Sequence, residues 1–389
     1  LPTPAIRLSF TLENTQEETM RAAVLYEPNK PLVIENVDVR KPGPHEVLIR
    51  TAFSGLCHSD LHFIEGLYPH PLPVVLGHEA AGVVEEVGSE VRYVQKGDHV
   101  ITCLSVFCGT CENCNSGRPV LCLDTEVKTL PGQVKRLSMN GKHVNTFTNL
   151  SSHAEMMLVH ENAMVKIDKD FPLDRAALIG CGVITGFGAA VNTAKVAPGE
   201  TVAVIGCGGV GMAAVNGAAI AGAGRIFAVD TNPAKLQMAA KIGATDLINP
   251  ANGDPVEQIR AALGGKPSDG VHHAIECLGL KQTAEQSFKM LRYGGTATIV
   301  GMVPFGMNIE LHGYDFLREK RIQGSSMGSN RFRIDMPRLM DFYRRGKLHL
   351  DDFVSAHIKL EQINEGFANM KAGRVIRSVI DFGVVPAKH

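Results

Sequence analysis

The 389-residue sequence has almost no net charge: thirty-nine Lys and Arg stand against forty Asp and Glu, leaving −1. A chain so balanced lacks the basic footprint of a nucleic-acid-binding protein and the cationic face that an anionic membrane attracts. It also lacks a long apolar run; none reaches the roughly 18 residues that a membrane span needs. Internal repeats and low-complexity segments are absent. Charged residues at 20% against hydrophobic residues at 44% exclude a disordered chain. The first nineteen residues carry one basic residue, Arg7, and the acids Glu13, Glu17 and Glu18. That is neither a signal peptide nor an arginine-rich transit peptide, so residues 1–19 are expected to be a poorly ordered extension. Nine cysteines, odd in number and unevenly placed, do not read as a disulfide scaffold in a chain this long. Metal binding in a reducing cytoplasm is the expectation.

What is present points to two domains, given about 100–200 residues for each. Forty glycines exceed the usual share of about 7% and signal many tight turns. From residue 20 to about 105, short strand-like runs such as Glu46–Ile49, Ala81–Val87 and His99–Thr102 are punctuated by Pro42-Gly43-Pro44 and Lys96-Gly97-Asp98. This reads as a β-rich, barrel-like region. Residues 106–150 read as irregular. Near 183 the texture changes to strands at Thr201–Ile205, Arg225–Val229, His272–Glu276 and Thr296–Val300, with helices over 209–222 and 233–242. Such alternation predicts βαβ units and a parallel sheet. A helix over Asp335–Arg345 and strands near 357 and 375–382 could rejoin the first region. The expected fold is α/β: a doubly wound sheet over 183–326, inserted between a β-rich part over 20–182 and its return over 327–389.

The most specific feature is Cys108-x2-Cys111-x2-Cys114-x7-Cys122. Four thiolates this close can surround one tetrahedral zinc ion, and four protein ligands leave no open position, so the ion would be structural. The bacterial iron–sulfur run ends C-x3-C-P; here the last gap is seven and Leu123 follows. Gly206-Cys207-Gly208-Gly209-Val210-Gly211 fits G-x-G-x-x-G between a strand and a small-residue helix, the setting in which backbone N–H groups cradle a pyrophosphate. Asp230 ends the next strand, nineteen residues past Gly211. It could accept the ribose hydroxyls of NAD and repel a 2′-phosphate, or cap a helix. Lys235 could reach the same ribose or be a solvated helix residue. Two further clusters, Cys57-His58-Ser59-Asp60-Leu61-His62 and Gly77-His78-Glu79, are rich in ligand-type side chains, and Cys181 stands in Gly180-Cys181-Gly182. On spacing alone these are open to a bland reading as scattered core residues.

Taken together, these motifs and Thr185-Gly186 resemble a zinc-dependent alcohol dehydrogenase of the medium-chain dehydrogenase family, from Met20 to about Phe382. The resemblance implies a Rossmann domain inserted into a GroES-like catalytic domain whose structural zinc lobe spans about 103–123. It implies two zinc ions per chain, the catalytic one on Cys57, His78 and Cys181, with Glu79 beside it as a transient ligand. Asp60 would hold the outer nitrogen of His78. Thr185 and Val210 would contact the nicotinamide end of NAD, His58 and Arg377 its pyrophosphate, and Val300 would be a further cofactor-binding residue. Ser59 and His62 would relay the proton lost in reversible oxidation of a small-molecule alcohol. Aligned pocket positions are Tyr68, Leu104, Val127, Phe147 and Met302, mostly apolar, which favours a medium-sized apolar or aromatic alcohol. Thiol-adduct formaldehyde dehydrogenases and polyol dehydrogenases share the scaffold. The former usually lack the histidine at position 62, and carry arginine where this chain has Glu126. A protein that binds zinc and nucleotide without turnover is the remaining reading. The long stretch Leu123–Leu150 resembles dimeric members, so a homodimer is expected.

Overall fold

The structure, a computed structural model, describes residues 18–384. The expected extension lies outside the described residues except for Glu18 and Thr19. These two open the strand Glu18–Leu25, where the Thr19 hydroxyl donates to Asp38 at 2.7 Å.

Six parallel strands form one sheet. In spatial order they are Asp246–Ile248, Arg225–Val229, Thr201–Ile205, Val271–Glu276, Leu291–Ile299 and Arg321–Gly324. Numbered along the chain the order is 3-2-1-4-5-6, the doubly wound arrangement that binds dinucleotides where the order reverses. The reversal falls between Thr201–Ile205 and Val271–Glu276, which pair directly, Ile205 opposite Glu276. Val202, Val204, Ile226 and Ile275 are fully or almost fully buried, as strands covered on both faces require.

The rest of the chain is antiparallel and β-rich. Glu18–Leu25, Val33–Val39, Leu137–Met139, Lys142–Thr146 and Val74–Val75 close a barrel. Two of these strands lie in the stretch 106–150 that reads as irregular. They form a hairpin turning at Asn140-Gly141, both at positive φ (50° and 73°). An Asn-Gly pair with that geometry is the type I′ signal, and it is visible in the sequence. A second sheet is built around Glu46–Gly55, and Arg377–Asp381 pairs with it antiparallel. The C-terminal strand therefore returns to the first region.

A continuous helical run, Leu173–Ala194, joins the two regions and contains the expected boundary at 182/183. It is long and apolar enough by length and composition to cross a membrane, which corrects the expectation that no segment is. Yet 83% of its most apolar window is buried inside the protein, so it is a core helix. Its residues Leu178, Ile179, Val183 and Ile184 sit in one cluster with Ile101 from the β-rich part and Val204 and Met212 from the parallel sheet. Close approach depends on Gly186: a Cβ there would lie 1.9 Å from the Val210 carbonyl oxygen. The run widens into π-helical turns at Ile179–Val183 and Ala189–Ala194. Such turns recur at functional sites, and the first carries Cys181.

Candidate active site

The carboxyl ends of the parallel strands open into a cavity of about 440 Å³ lined from both regions. Its floor is the glycine turn. Gly206 has φ +90°, a conformation that side-chain-bearing residues rarely adopt, and a Cβ on Gly211 would lie 1.7 Å from the Gly206 carbonyl oxygen. Gly208, Gly209 and Val210 line the cavity, and the N-terminus of the helix Gly209–Ile220 faces it. Asp230 also lines it. One of its oxygens accepts from the Cys207 N–H and the other from the Asn232 N–H, both at 2.8 Å. The cap of the following helix is Asn232, whose side chain accepts from the Ala234 N–H, so the capping alternative for Asp230 does not hold. Lys235, Thr185, Val300, His58 and Arg377, the other residues expected on the cofactor side, line the same cavity.

Cys57, His78 and Cys181 meet there. Their ligand atoms lie within 4.8 Å of one another and all three residues are buried. Each comes from a different element: Cys57 precedes the helix His58–Ile64, His78 precedes the strand Ala80–Val87, and Cys181 lies in the π-turn. The Cys57 thiol is drawn well below its usual range by its contact with Cys181, with Arg377 and His78 adding positive charge; Cys181 is pushed up by Cys57 and by burial. Two buried sulfurs and an imidazole form a donor set suited to zinc, and three protein ligands leave the fourth tetrahedral position open. Nδ1 of His78 lies 3.0 Å from Oδ1 of Asp60, which also accepts from the Gly77 N–H at 3.1 Å. Burial works to raise the Asp60 pKa, but His78 and His153 outweigh it and hold the carboxyl at about 2.

Glu79 is not part of the three-donor group. Its Oε2 accepts from the Gly182 N–H at 3.2 Å and stands 3.8 Å from Nη2 of Arg377, while burial lifts its pKa to about 7. Arg377 is itself buried and donates to the Leu56 carbonyl at 2.8 Å. It fits between two glycines: a Cβ on Gly182 or Gly209 would lie 2.3 or 2.2 Å from its guanidinium.

The four-cysteine lobe is equally well formed. Sulfur–sulfur separations are 3.5 Å for Cys111–Cys114 and 3.9 Å for both Cys108–Cys114 and Cys111–Cys122. A tetrahedron with bonds of about 2.3 Å has edges of about 3.8 Å, so the sulfurs fit a zinc ion. Backbone N–H groups of Thr110 and Cys111 point at Cys108, and the Cys108 N–H at Cys122, at 3.3–3.4 Å. The Thr110 hydroxyl and N–H pull the Cys108 thiol down to about 6.

Of the expected pocket residues, Leu104, Phe147 and Met302 line the cavity, with Ser59 and His62. Two do not. Val127 lies in a separate cavity with Glu126, Glu46 and Arg136, because the segment after Cys122 turns toward the strand end near Arg40. Tyr68 is outside the lining: its hydroxyl donates to the Val303 carbonyl and its ring stacks on His62 at 6.1 Å. Sequence reasoning missed Phe63, Thr148, Cys277, Leu278 and Met327, which do line the cavity. It also missed His153, beside Asp60. Cys277 and Leu278 follow the strand Val271–Glu276, so the carboxyl-end rule for such sheets was the available signal. An outer cavity of about 550 Å³ shares Phe63, Phe147 and Thr148 with the first and includes Leu123, Lys128 and Leu130.

Comparison with known proteins places the chain in a family. Residues 43–169 match the family described as alcohol dehydrogenase GroES-like domain, and residues 209–345 match the zinc-binding dehydrogenase family. The chain is 39% identical to the S-(hydroxymethyl)glutathione dehydrogenase of Synechocystis sp., over 93% of this chain and 99% of that protein. It is 38% identical to the alcohol dehydrogenase class-3 of Drosophila melanogaster, over 94% and 98%. Among solved structures, benzyl alcohol dehydrogenase from Acinetobacter calcoaceticus superposes with a TM-score of 0.86 at 33% identity, covering 94% of this chain and 99% of that one. With its dinucleotide turn and two zinc sites, the chain belongs to the NAD-dependent zinc alcohol dehydrogenases of the medium-chain dehydrogenase family.

Proposed function

We propose that the enzyme reversibly oxidises medium-sized apolar or aromatic alcohols, primary or secondary, to aldehydes or ketones. The observation that carries this reading is the cavity itself, which the three metal donors share with the apolar side chains of Phe63, Leu104, Phe147, Leu278 and Met302, Phe147 meeting the His78 ring edge-on at 5.8 Å. Zinc held by Cys57, His78 and Cys181 supplies a Lewis acid that lowers the pKa of an alcohol hydroxyl. The apolar wall orients the substrate's hydrocarbon end and excludes water. The likeness to a benzyl alcohol dehydrogenase supports an aromatic substrate. The thiol-adduct reading has support too, because relatives named S-(hydroxymethyl)glutathione dehydrogenase stand at 39% identity, and Glu126 faces away from the cavity. The deciding experiment is kcat/KM over benzyl alcohol, 1-hexanol, ethanol, sorbitol and formaldehyde with glutathione. A preference for sorbitol or for the glutathione adduct overturns the proposal.

His62 and Ser59 both line the cavity, and we assign them the proton relay. Nδ1 of His62 is buried and has no hydrogen-bond partner among the described residues, and burial lowers the ring's pKa, which favours the neutral imidazole. His62→Ala is expected to slow turnover near neutral pH by up to about 10²–10⁴-fold, the range for a positioned acid–base group. KM for NAD should change little. A variant as fast as wild type from pH 6 to 9 removes the relay.

His58 and Arg377 stand where the pyrophosphate would lie, and Asp230 where the adenosine ribose would lie. A 2′-phosphate at Asp230 meets a like charge and loses the ribose hydrogen bonds, a penalty of a few kcal/mol at about tenfold for each 1.4 kcal/mol. NAD is therefore the expected cofactor by a wide margin. Asp230→Gly is expected to narrow or reverse that margin in kcat/KM for NAD and NADP. Equal use of both cofactors by wild type refutes the role.

We further assign a homodimer. Phe305, Met307, Tyr314 and Leu317 are 48–77% exposed, within 16 residues of the outermost strand Arg321–Gly324. An apolar cluster beside an open sheet edge marks a protein-binding face, and light scattering at the monomer mass would exclude it. None of the nine cysteines is paired in a disulfide and six are grouped as metal donors, which suits the reducing cytoplasm; recovery in another cell fraction would overturn that placement.

A further inference from the structure

Asp60 has two carboxylate oxygens, and the contacts above account for one of them. Oδ1 takes the His78 ring and the Gly77 N–H. Oδ2 is buried and has no hydrogen-bond partner among the described residues. Facing it at 3.7 Å is Nε2 of His153, which is likewise buried and unbonded. His153 is wholly inaccessible, and its backbone is pinned on both sides. Its N–H donates to the Leu76 carbonyl at 3.0 Å, and its carbonyl accepts from the Ala23 N–H at 2.9 Å. The ring meets Phe367 edge-on at 5.9 Å.

The other ring nitrogen fixes the tautomer. Nδ1 of His153 lies 3.1 Å from the Ser54 hydroxyl, which lies 2.8 Å from the Ser152 hydroxyl. Ser54 can donate to Nδ1 while accepting from Ser152. The ring proton then sits on Nε2 and points at the carboxylate. The other neutral tautomer would leave an anionic oxygen buried against a bare nitrogen lone pair, which is costly. At 3.7 Å the contact is an ion–dipole attraction just longer than a hydrogen bond.

We propose that His153 is a positioning residue for the catalytic metal site, acting on His78 through the second oxygen of Asp60. A carboxylate tethered at one oxygen can rotate about its Cβ–Cγ bond. Tethered at both, it holds the imidazole of His78 in one plane, with its inner nitrogen turned toward Cys57 and Cys181. The chain Ser152–Ser54–His153–Asp60–His78 thus runs from the β-rich core to a metal ligand. An apolar side chain at 153 would fill the same space and leave Oδ2 facing hydrocarbon.

The inference rests on Cys57, His78 and Cys181 holding zinc, which the zinc content of the wild-type enzyme checks separately: two ions per chain are required before the variants are informative. The test is removal of zinc from the purified holoenzyme by a competing chelator such as 4-(2-pyridylazo)resorcinol. Cys57→Ser, which keeps only the lobe ion, identifies the lobe phase. His153→Phe and His153→Leu are expected to release the catalytic ion on the order of 10–100-fold more readily, the usual cost of losing a group that orients a ligand. The lobe phase should not move. His153→Gln, whose amide can still donate to Asp60, should restore most of the retention. Catalytic-site retention unchanged in the Phe and Leu variants overturns the proposal. So does a Gln variant as leaky as Phe, because the effect would then be one of packing and not of the N–H facing Asp60. Faster loss from both sites together would also overturn it, as general destabilisation.

Discussion

Cys57→Ser should yield a folded protein that carries one zinc ion per chain and has lost at least ~10³-fold in kcat/KM. The loss follows from the term the ligand set supports. Lewis-acid stabilisation is worth several kcal/mol, and each 1.36 kcal/mol is tenfold in rate. Serine has the size of cysteine without a thiolate, and it would leave His78 and Cys181 as an incomplete pair. Folding should survive, because the surroundings of Cys57 do not depend on its sulfur. Leu56, beside it, is buried in a cluster with Ile363 and Ile380, and Arg377 is anchored on the Leu56 carbonyl. Elemental analysis, circular dichroism and steady-state rates on one preparation provide the check. A variant with two zinc ions and wild-type turnover would remove Cys57 from the ligand set.

Cys111→Ser should act in the opposite way, on stability first. The lobe has little secondary structure, only the single turns Glu112–Asn115 and Pro119–Leu121, and its side chains are mostly exposed. Apart from the four sulfurs it is held by short-range hydrogen bonds, such as those from the Asn113 and Asn115 amides to the Leu121 and Thr110 carbonyls, both at 2.8 Å. Structural zinc in small domains contributes about 10–16 kcal/mol of apparent binding energy that is also folding energy, comparable with the whole stability of an average protein at about 5–15 kcal/mol. Removing one thiolate is expected to release the lobe ion, expose 108–122 to proteolysis and lower the melting midpoint by at least ~10 °C. The outer cavity should suffer as well, since Cys122, Leu123 and Thr125 line it. An unchanged midpoint together with protease resistance in the lobe would show that the cysteines are not braced by metal.

The nucleotide-binding half was the more legible part of the sequence. Thr201–Ile205 and Arg225–Val229 stand at the residues expected from their apolar runs, because strands of a sheet buried on both faces are unbroken stretches of Val, Ile and Ala flanked by glycine or Asp. The helix expected over Asp335–Arg345 begins about a turn earlier, at Phe332, and runs to Arg344 with Phe332 and Met336 buried and Pro337 inside it. The metal lobe was legible for a different reason, as its four ligands lie within fifteen residues. Cys57, His78 and Cys181 are separated by 21 and 103 residues, and only the tertiary fold brings them together, so resemblance to a family had to supply what spacing could not. Tyr68 and Val127 went astray because loop side chains follow local turns that alignment does not encode. Nothing in a sequence says that His153 and Asp60, 93 residues apart, share a buried wall.

The helix Leu173–Ala194 limits how such an enzyme can be taken apart. It carries Cys181 and Thr185 four residues apart, on one face, roughly 6 Å along a rigid rod. The metal donor and the residue at the cofactor end of the cavity are therefore spaced by helical geometry and not by how tightly the two halves close. A chimera that grafts another nucleotide-binding unit at residue 183 would cut this rod between them and could reset their spacing. Splicing ahead of Leu173, or beyond Ala194 where Lys195 ends the helix in a left-handed conformation, keeps the spacing intact while the cofactor preference is exchanged.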